Sequence, residues 1–301
     1  MFTIKFFWDG EMELYQRKQR KTYPVLGSRF LTVVIVSEPS NFVRRQTVRA
    51  TWLKLGKNKV DYKHYFVVGG AGLAKETSDL LGREQSTYND MIILPVLVDT
   101  YRTLTNKVLE TFVWLHKNGA FFKYVLKCDE DTFVRVDDVI AVLKESGKER
   151  LYWGFFNGRA RVKKSGKWKE NKWILCDYYL PYALGGGYVL SASLLHYIAE
   201  NAKNLSVFSS EDVSVGVWLA SVAGVQRVHD PRFDTEFTSR GCSNSYLVTH
   251  KRSEDDLQQL AATLQSTGKL CRSEYHTRSS YMYNWDVPPS QCCLRGNSSV
   301  P

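Results

Sequence analysis

Short apolar runs separated by longer polar or amphipathic segments dominate the first half of the chain. These runs predict buried strands at residues 30–37, 65–70, 91–98 and 121–127. Three helical segments are predicted between them. One begins near Asn41, one ends near Tyr88, and one follows Asp99–Lys107 and ends near Lys117. Alternation of strands and helices is typical of βαβ units. We therefore predict an α/β fold with a Rossmann-like, mixed but mainly parallel sheet flanked by helices.

The second half of the chain alternates less regularly. The pattern predicts strands at 151–156, 225–228 and 246–250, a hairpin at 162–174, and helices at 136–145, from Glu211 onward and at 253–265. Asn41 is a candidate helix cap. Pro95 lies inside the apolar run at 91–98, so this strand is expected at a sheet edge or to end early. Three consecutive glycines, Gly185–Gly187, permit close approach of the backbone to a ligand.

Three consecutive carboxylates, Asp129, Glu130 and Asp131, follow the apolar run at 121–127. Open α/β sheets bind ligands outside the carboxyl ends of their strands. Adjacent carboxylates repel one another unless a cation lies among them, and hard oxygen ligands suit Mg²⁺ or Mn²⁺. An isolated motif this short is more often a solvated acidic turn. The triplet alone therefore leaves both interpretations open.

A second acidic pair, Glu211 and Asp212, opens a predicted helix. The helix dipole favours an ionised carboxylate in the first turn, which is the resting state that a general base needs. Ordinary structural acids occupy the same position. His250 ends a predicted strand, and a lone histidine is more often a packed residue than a ligand.

Charge suggests what kind of partner the chain meets. The formal net charge of +10 indicates an acidic partner, such as nucleic acid, anionic polysaccharide, a membrane surface or nucleotide phosphate. Seven basic residues and one acid, Glu170, lie between Arg159 and Lys172. A solvated face is the ordinary interpretation of such a stretch.

The cysteines suggest a secretory-pathway protein. Four of the six lie after Gly241, which is typical of disulfides that constrain a loop-rich region. The spacing does not select a pairing, and Cys128 is expected to be the free thiol. Two glycosylation sequons begin at Asn204 and Asn297. No signal peptide and no run of about 20 apolar residues is recognisable, so we expect no membrane-spanning segment in this chain.

Five segments, in order, resemble the β-1,3-glycosyltransferases of the GT-A fold, glycosyltransferase family 31. They are Arg44–Trp52, Asp99–Lys107, Tyr124–Val134, Gly185–Ser191 and Glu211–Val213. Four further segments resemble the family members that build the glycosaminoglycan linker: Leu151–Phe156, Cys176–Tyr182, His229–Glu236 and Arg240–Asn244. The resemblance implies a stem or disordered lead-in at 1–28, a GT-A catalytic domain at 29–293 and a tail at 294–301.

The resemblance also implies roles for individual residues. Asp131 would bind Mn²⁺ directly, Asp129 would contact the nucleotide ribose or a metal-bound water, and His250 would complete the metal shell, with His229 as the alternative. Asp212 matches the catalytic base. The implied residues for binding the UDP-galactose donor are Arg45, Arg49, Asp99, Lys107, Asp129 and Glu130.

The implied acceptor is the terminal galactose of Gal-β1,4-Xyl-O-Ser on a proteoglycan core protein, attacked through its 3-hydroxyl with inversion at the donor carbon. The candidate acceptor-binding residues are Trp153, Tyr178, Tyr179, Gly186, Gly187 and Glu211. Another β-1,3-glycosyltransferase, such as an N-acetylglucosaminyltransferase, and an inactive sugar-binding protein are the alternatives. The resemblance implies the Golgi lumen, membrane contact only through an N-terminal anchor outside this chain, and no nucleic-acid partner.

Overall fold

The computed structural model describes residues 29–56, 61–118 and 121–296, so the predicted lead-in, Asn297 and the last residues of the tail lie outside the described residues. The described strands are β1 (Arg29–Val36), β2 (Tyr62–Ala71), β3 (Met91–Val98), β4 (Phe122–Asp129), β5 (Phe133–Val134), β6 (Leu151–Asn157), β7 (Tyr182–Ser191), β8 (Gln226–His229), β9 (Phe233–Asp234), β10 (Gly241–Cys242), β11 (Val248–Thr249) and β12 (Tyr275–His276). The α-helices of the same ranges are α1 (Phe42–Ala50), α2 (Trp52–Leu55), α3 (Lys75–Tyr88), α4 (Leu104–Lys117), α5 (Val136–Ser146), α6 (Ala192–Glu200), α7 (Glu211–Trp218) and α8 (Glu254–Thr267).

The central sheet has seven strands in the order β3-β2-β1-β4-β7-β6-β8. The first four are parallel, β7 is antiparallel to both of its neighbours, and β8 is parallel to β6. The predicted α/β class with a mixed, mainly parallel sheet is therefore confirmed. The run containing Pro95 is β3, an edge strand of this sheet, as predicted.

The interior positions of β1, β2 and β4 are almost completely buried. Helix α4 packs against α6, and α1 packs against α8. Helix α8 begins with a capping box, in which Ser253 and Asp256 each accept a hydrogen bond from the other's backbone N–H. A three-stranded sheet, β5-β11-β9, lies beside the central sheet and brings β11 close to β7.

Two local predictions were wrong, and a third element is shorter than predicted. Residues 162–174 form a turn without paired strands: Glu170 N donates to Lys163 O at 2.8 Å, and the bridge between Arg161 and Tyr178 lies just outside the segment. Val162 and Trp173 pack inward in a cluster with Phe208 and Val213. The predicted strand at 246–250 shortens to β11. Asn41 precedes α1 but its side-chain oxygen accepts no capping hydrogen bond, and its amide nitrogen donates to Glu130.

Two disulfides form in the cysteine-rich region, Cys242–Cys271 and Cys292–Cys293. Cys128 is a buried free thiol and Cys176 an exposed one. The expectations of disulfides after Gly241 and of a free Cys128 are confirmed. Among the described residues, no helix combines the length and apolarity needed to cross a bilayer.

Candidate active site

Asp129 and Asp131 meet His250 where β4 and β11 end. One potential ligand atom from each residue lies within 4.8 Å of the others. Nδ1 of His250 lies 3.0 Å from an Asp131 oxygen, and Nε2 lies 3.8 Å from an Asp129 oxygen. Two carboxylates and an imidazole form a donor set that suits a divalent cation such as Mn²⁺. The side chains present therefore fit the predicted metal.

The electrostatics of this cluster keep Asp131 ionised. Burial opposes the charge, but the hydrogen bond and charge of His250, together with Lys251, lower the pKa of Asp131 to about 2. Burial raises the pKa of Glu130, although the nearby Ser37 hydroxyl, the hydrogen bond from Asn41 and the charge of Arg45 oppose that effect. The second carboxylate oxygen of Glu130 is buried and accepts no hydrogen bond from any described residue.

A cavity of about 560 Å³ opens beside the carboxylates. Asp99, Lys107, Asp129 and Glu130 are the predicted donor-binding residues that line it. Lys107 donates to Ser37 O at 2.5 Å and to Asp99 at 2.6 Å. Burial lowers the pKa of Lys107, whereas Asp99 acts in the opposite direction. The cavity thus has carboxylates at one side and a buried ammonium group in its wall.

Asp212 lies half-buried in the first turn of α7. Its oxygens accept hydrogen bonds from the backbone N–H groups of Gly185, at 3.0 Å, and Val213, at 2.8 Å. Burial raises the pKa of this carboxyl, and the two backbone hydrogen bonds oppose the increase. In the described chain Asp212 has no basic partner within salt-bridge distance, so its lone pairs remain available to a proton donor.

The sequence pattern of the family described as Galactosyltransferase matches residues 43–231. This range runs from α1 to just beyond β8 and includes Asp129, Asp131 and Asp212, whereas His250 lies outside it. The chain belongs to the galactosyltransferase family.

Individual relatives agree with this assignment. Beta-1,3-galactosyltransferase 6 of Mus musculus is 49% identical over 271 residues, covering 88% of this chain and 83% of that protein. UDP-GalNAc:beta-1,3-N-acetylgalactosaminyltransferase 2 of Xenopus laevis is 32% identical over 68% of this chain and 41% of its own length. Hydroxyproline O-galactosyltransferase GALT6 of Arabidopsis thaliana is 32% identical over 78% of this chain and 35% of its own length. The chain is thus a glycosyltransferase that spans less than half of the last two relatives.

One of the matching solved structures is more distant. The crystal structure of a 4-diphosphocytidyl-2C-methyl-D-erythritol synthase covers 80% of the chain with a TM-score of 0.43 and 12% identity, values too low to support an argument.

Two predicted donor-binding arginines of this galactosyltransferase lie outside the cavity lining. Arg45 is buried and bonds both oxygens of Glu84, at 2.8 and 2.6 Å. Arg49 bonds Glu84 at 2.7 Å and both oxygens of Asp90, at 2.8 and 2.9 Å. These internal ion pairs occupy both guanidinium groups. Arg44, which the sequence reasoning did not select, is the arginine of α1 that lines the cavity.

Lys127 is the main site residue that sequence reasoning missed. It is 1% exposed, and its ammonium group donates to Asp129 at 2.8 Å, to Gly185 O at 2.7 Å and to Glu211. Burial lowers its pKa, but the charges of Asp129 and Glu211 outweigh that effect and raise it. The available signal was a lysine between the apolar residues Tyr124–Leu126 and the acid triplet, because a buried ammonium group requires carboxylate partners.

Glu211 is held on both sides. One oxygen accepts from Lys127, and the other accepts from the Tyr188 hydroxyl at 3.1 Å. Burial raises the pKa of Glu211 to about 7, although Lys127 opposes the increase. Glu211, predicted to bind the acceptor, is therefore a buried residue that holds Lys127 in place.

The aromatic acceptor candidates are mostly enclosed. Trp153 is 2% exposed, and its indole donates to Asp230 at 2.9 Å. Tyr179 is 4% exposed and packs edge-on against Trp173. Neither ring has a free face for a sugar, so stacking on these two residues is not supported. Tyr178 is half-buried, with the Arg161 guanidinium over its ring.

The two glycine candidates make room for the metal-site histidine. A Cβ atom at Gly186 would lie 2.6 Å from the His250 ring, and one at Gly187 would lie 2.8 Å from Val248. The alternative histidine, His229, lies elsewhere. Its Nδ1 accepts from Phe156 N at 3.0 Å, and its Nε2 lies 2.9 Å from Tyr281 O. The structure thus brings His250, and not His229, to the carboxylates.

Proposed function

We propose that this galactosyltransferase transfers galactose from UDP-galactose, with inversion, to the 3-hydroxyl of the galactose in Gal-β1,4-Xyl-O-Ser of proteoglycan core proteins. The name of the mouse relative, beta-1,3-galactosyltransferase 6, supports the sugar and the linkage. The bridge made by Lys127 carries the proposal. The Lys127 ammonium group contacts Asp129 of the proposed metal cluster. It also contacts Glu211, which precedes Asp212 in the chain, and the carbonyl oxygen of Gly185, whose N–H donates to Asp212. The cluster and the candidate base therefore belong to one site.

In the proposed mechanism Asp212 is the general base. It removes the proton of the acceptor 3-hydroxyl while that oxygen forms a bond to C1 of galactose and the C1–O bond to UDP breaks. Its raised pKa favours this role, because a base with a pKa closer to neutrality accepts a proton more readily. A single displacement needs one base and no covalent intermediate.

The chain's other charged groups serve the donor in this proposal. Asp129, Asp131 and His250 would hold Mn²⁺, and the bound ion supplies positive charge that offsets the negative charge developing on the diphosphate. Lys107 contributes a buried positive charge at the cavity wall. The Glu130 oxygen that has no partner among the described residues is suited to accept a hydrogen bond from a ribose hydroxyl of the donor.

The same proposal assigns the enzyme to the Golgi lumen. Disulfides at Cys242–Cys271 and Cys292–Cys293 favour an oxidising compartment. Asn204 is exposed, which supports its use as a glycosylation site there.

A donor panel tests the function. Purified protein is incubated with a Gal-β1,4-Xyl acceptor and UDP-galactose, UDP-N-acetylglucosamine or UDP-N-acetylgalactosamine, with Mn²⁺, Mg²⁺ or a chelator. We expect UDP release with UDP-galactose and Mn²⁺, loss of release with the chelator, and a β1,3 linkage by NMR. Transfer of a different sugar would instead support another β-1,3-glycosyltransferase. Saturable sugar binding without UDP release from any donor would support an inactive binding protein.

A further inference from the structure

Residues 158–181, between β6 and β7, form a cationic loop. All seven basic side chains between Arg159 and Lys172 are exposed: Arg159, Arg161, Lys163, Lys164, Lys167, Lys169 and Lys172. The single acid among them, Glu170, is buried and accepts backbone hydrogen bonds from Lys172 at 2.7 Å and Ser209 at 2.6 Å. The loop therefore turns its acid inward and its cations outward.

These seven cations lack acidic partners within the described part of the chain. None of them lies within 4.0 Å of a carboxylate oxygen there, although Asp177 is exposed on the same loop. Arg161 and Lys167 rest instead on aromatic rings, at 5.4 Å from the Tyr178 centroid and 4.0 Å from the Tyr101 centroid. Such a concentration of unpaired charge raises the local concentration of an anionic partner.

The cationic loop is fixed beside the active site. Val162, Trp173 and Tyr179 pack with Phe208 and with Val213, the residue that follows Asp212. At its tip, Lys167 lines the cavity that also contains Asp129 and Asp131. A molecule bound on this loop would therefore lie next to the acceptor's reacting group.

Apolar side chains accompany the charges. Ile174 is 91% exposed and Leu175 is 53% exposed on the loop. Phe237, which is 71% exposed, packs edge-on against Trp168 of the loop. A polysaccharide or a nucleic acid backbone offers no aliphatic side chains to such groups, whereas a polypeptide offers both carboxylates and apolar side chains.

We propose that the cationic loop binds an acidic polypeptide segment next to the sugar-bearing residue of the acceptor protein. This proposal rests on the proposed function, since it supplies the peptide part of that acceptor's recognition. The loop contributes affinity for the protein, and the cavity selects the sugars. Recognition thus extends from the saccharide to the polypeptide that carries it.

A binding experiment without sugar tests the loop directly. Fluorescently labelled acidic peptides, and matched peptides with Gln and Asn in place of Glu and Asp, are titrated with protein at low and high salt, and anisotropy is measured. We expect the acidic peptide to bind about tenfold more tightly at low salt, with the preference reduced at high salt. The variant Lys163→Glu/Lys164→Glu/Lys169→Glu should abolish the preference.

A matched control variant, Lys54→Glu/Lys75→Glu/Lys269→Glu, changes the net charge equally at exposed lysines outside the loop. It should retain the preference. Equal binding of acidic and neutral peptides, or equal loss in both variants, would overturn the proposal. Binding of a heparin oligosaccharide that disappears in the loop variant, while acidic peptide binding persists, would assign the loop to polysaccharides and would also overturn it.

Kinetics then connect the loop to transfer. For an acidic glycopeptide acceptor, we expect the loop variant to raise KM about tenfold without changing kcat. With the free disaccharide acceptor, both parameters should match the parent. An unchanged KM for the acidic glycopeptide would contradict the proposal. Absence of transfer to any acceptor would refute the proposed function instead, while the anisotropy measurement still decides peptide binding.

Discussion

Two clusters of charged side chains show how differently one chain can use its carboxylates. In the first, Arg45 and Arg49 share Glu84, and Arg49 also pairs with Asp90, with all four side chains 10% exposed or less. In the second, Asp129 and Asp131 gather with His250 and keep 31% and 26% of their side-chain surface exposed. Both clusters contain basic partners, since Lys127 contacts Asp129 and Lys251 contacts Asp131. The first cluster is closed to solvent, whereas the carboxylates of the second are open to a cavity.

The contrast separates structural charge from functional charge. A buried carboxylate that meets guanidinium groups from both sides contributes to the folded state and has no capacity left for a ligand. Carboxylates that keep part of their surface exposed beside a cavity can bind a cation from solution. The following predictions test this distinction.

The largest effect is expected for Asp131→Asn. The substitution removes the charge of a proposed metal ligand with little change in shape, so transfer should fall roughly 10³-fold, about 4 kcal/mol in the activation barrier. Initial-rate measurements with saturating Mn²⁺ check this. Retention of a tenth of the parent rate would show that the open cluster is not the metal site.

Glu84→Gln should destabilise the protein instead. It leaves Arg45 and Arg49 buried without their shared carboxylate, and breaking such a pair costs about 3 kcal/mol or more. Urea denaturation measures the loss, while kcat of the folded protein should stay near that of the parent. Asp79→Asn, at an exposed position of the same helix, is the control and should change stability little.

Asp212→Asn should leave the protein folded and able to bind UDP, but reduce transfer by roughly 10²-fold or more. The amide cannot accept the acceptor's proton, whereas the contacts around the donor cavity remain. Calorimetric titration with UDP and Mn²⁺, together with kcat, separates binding from chemistry. Turnover close to the parent value would remove Asp212 from the role of base.

The smallest effect concerns His229, which is buried away from the carboxylates that His250 contacts. Burial lowers the pKa of His229 to about 4 from an ordinary value of 6.5. The unfolded chain therefore takes up a proton on this residue before the folded chain does, and stability is lost as the pH falls from about 6.5 toward 4. Between pH 6.5 and 5.5 the loss should be roughly 1 kcal/mol.

Urea denaturation at several pH values measures that slope. His229→Gln should flatten it, and His276→Gln, at an exposed position, should not. An unchanged slope in the first variant would show that His229 is not the group that titrates.

The parallel half of the sheet could be predicted because its strands are buried on both faces, so that β1, β2 and β4 are nearly continuous apolar runs. The loop at 158–181 could not, because its apolar side chains pack against Phe208 and Val213, more than one element further along the chain. Turn residues such as Gly166 mark where the chain bends, but not which surface the segment covers.

The candidate site was predictable to a similar extent. The acid triplet at the end of β4 followed from its position, whereas His250 was selected only through the family resemblance. Arg45 and Arg49 do share a helix face, as their spacing predicts, but that face meets Glu84 and Asp90, which lie 39 and 41 residues away in sequence. Sequence spacing therefore predicts which side chains share a helix face, but not which residues that face contacts.

The bond between Cys242 and Cys271 has a consequence for how the enzyme is produced. It joins residues 29 positions apart and so closes a covalent ring that contains His250 and the whole of α8. Closing a ring of that size removes conformational entropy from the unfolded chain, worth about 3 to 4 kcal/mol. Recombinant protein made in a reducing cytosol lacks that constraint on the segment that presents the His250 imidazole to the proposed metal site, so we expect an oxidising expression host to give the better ordered site.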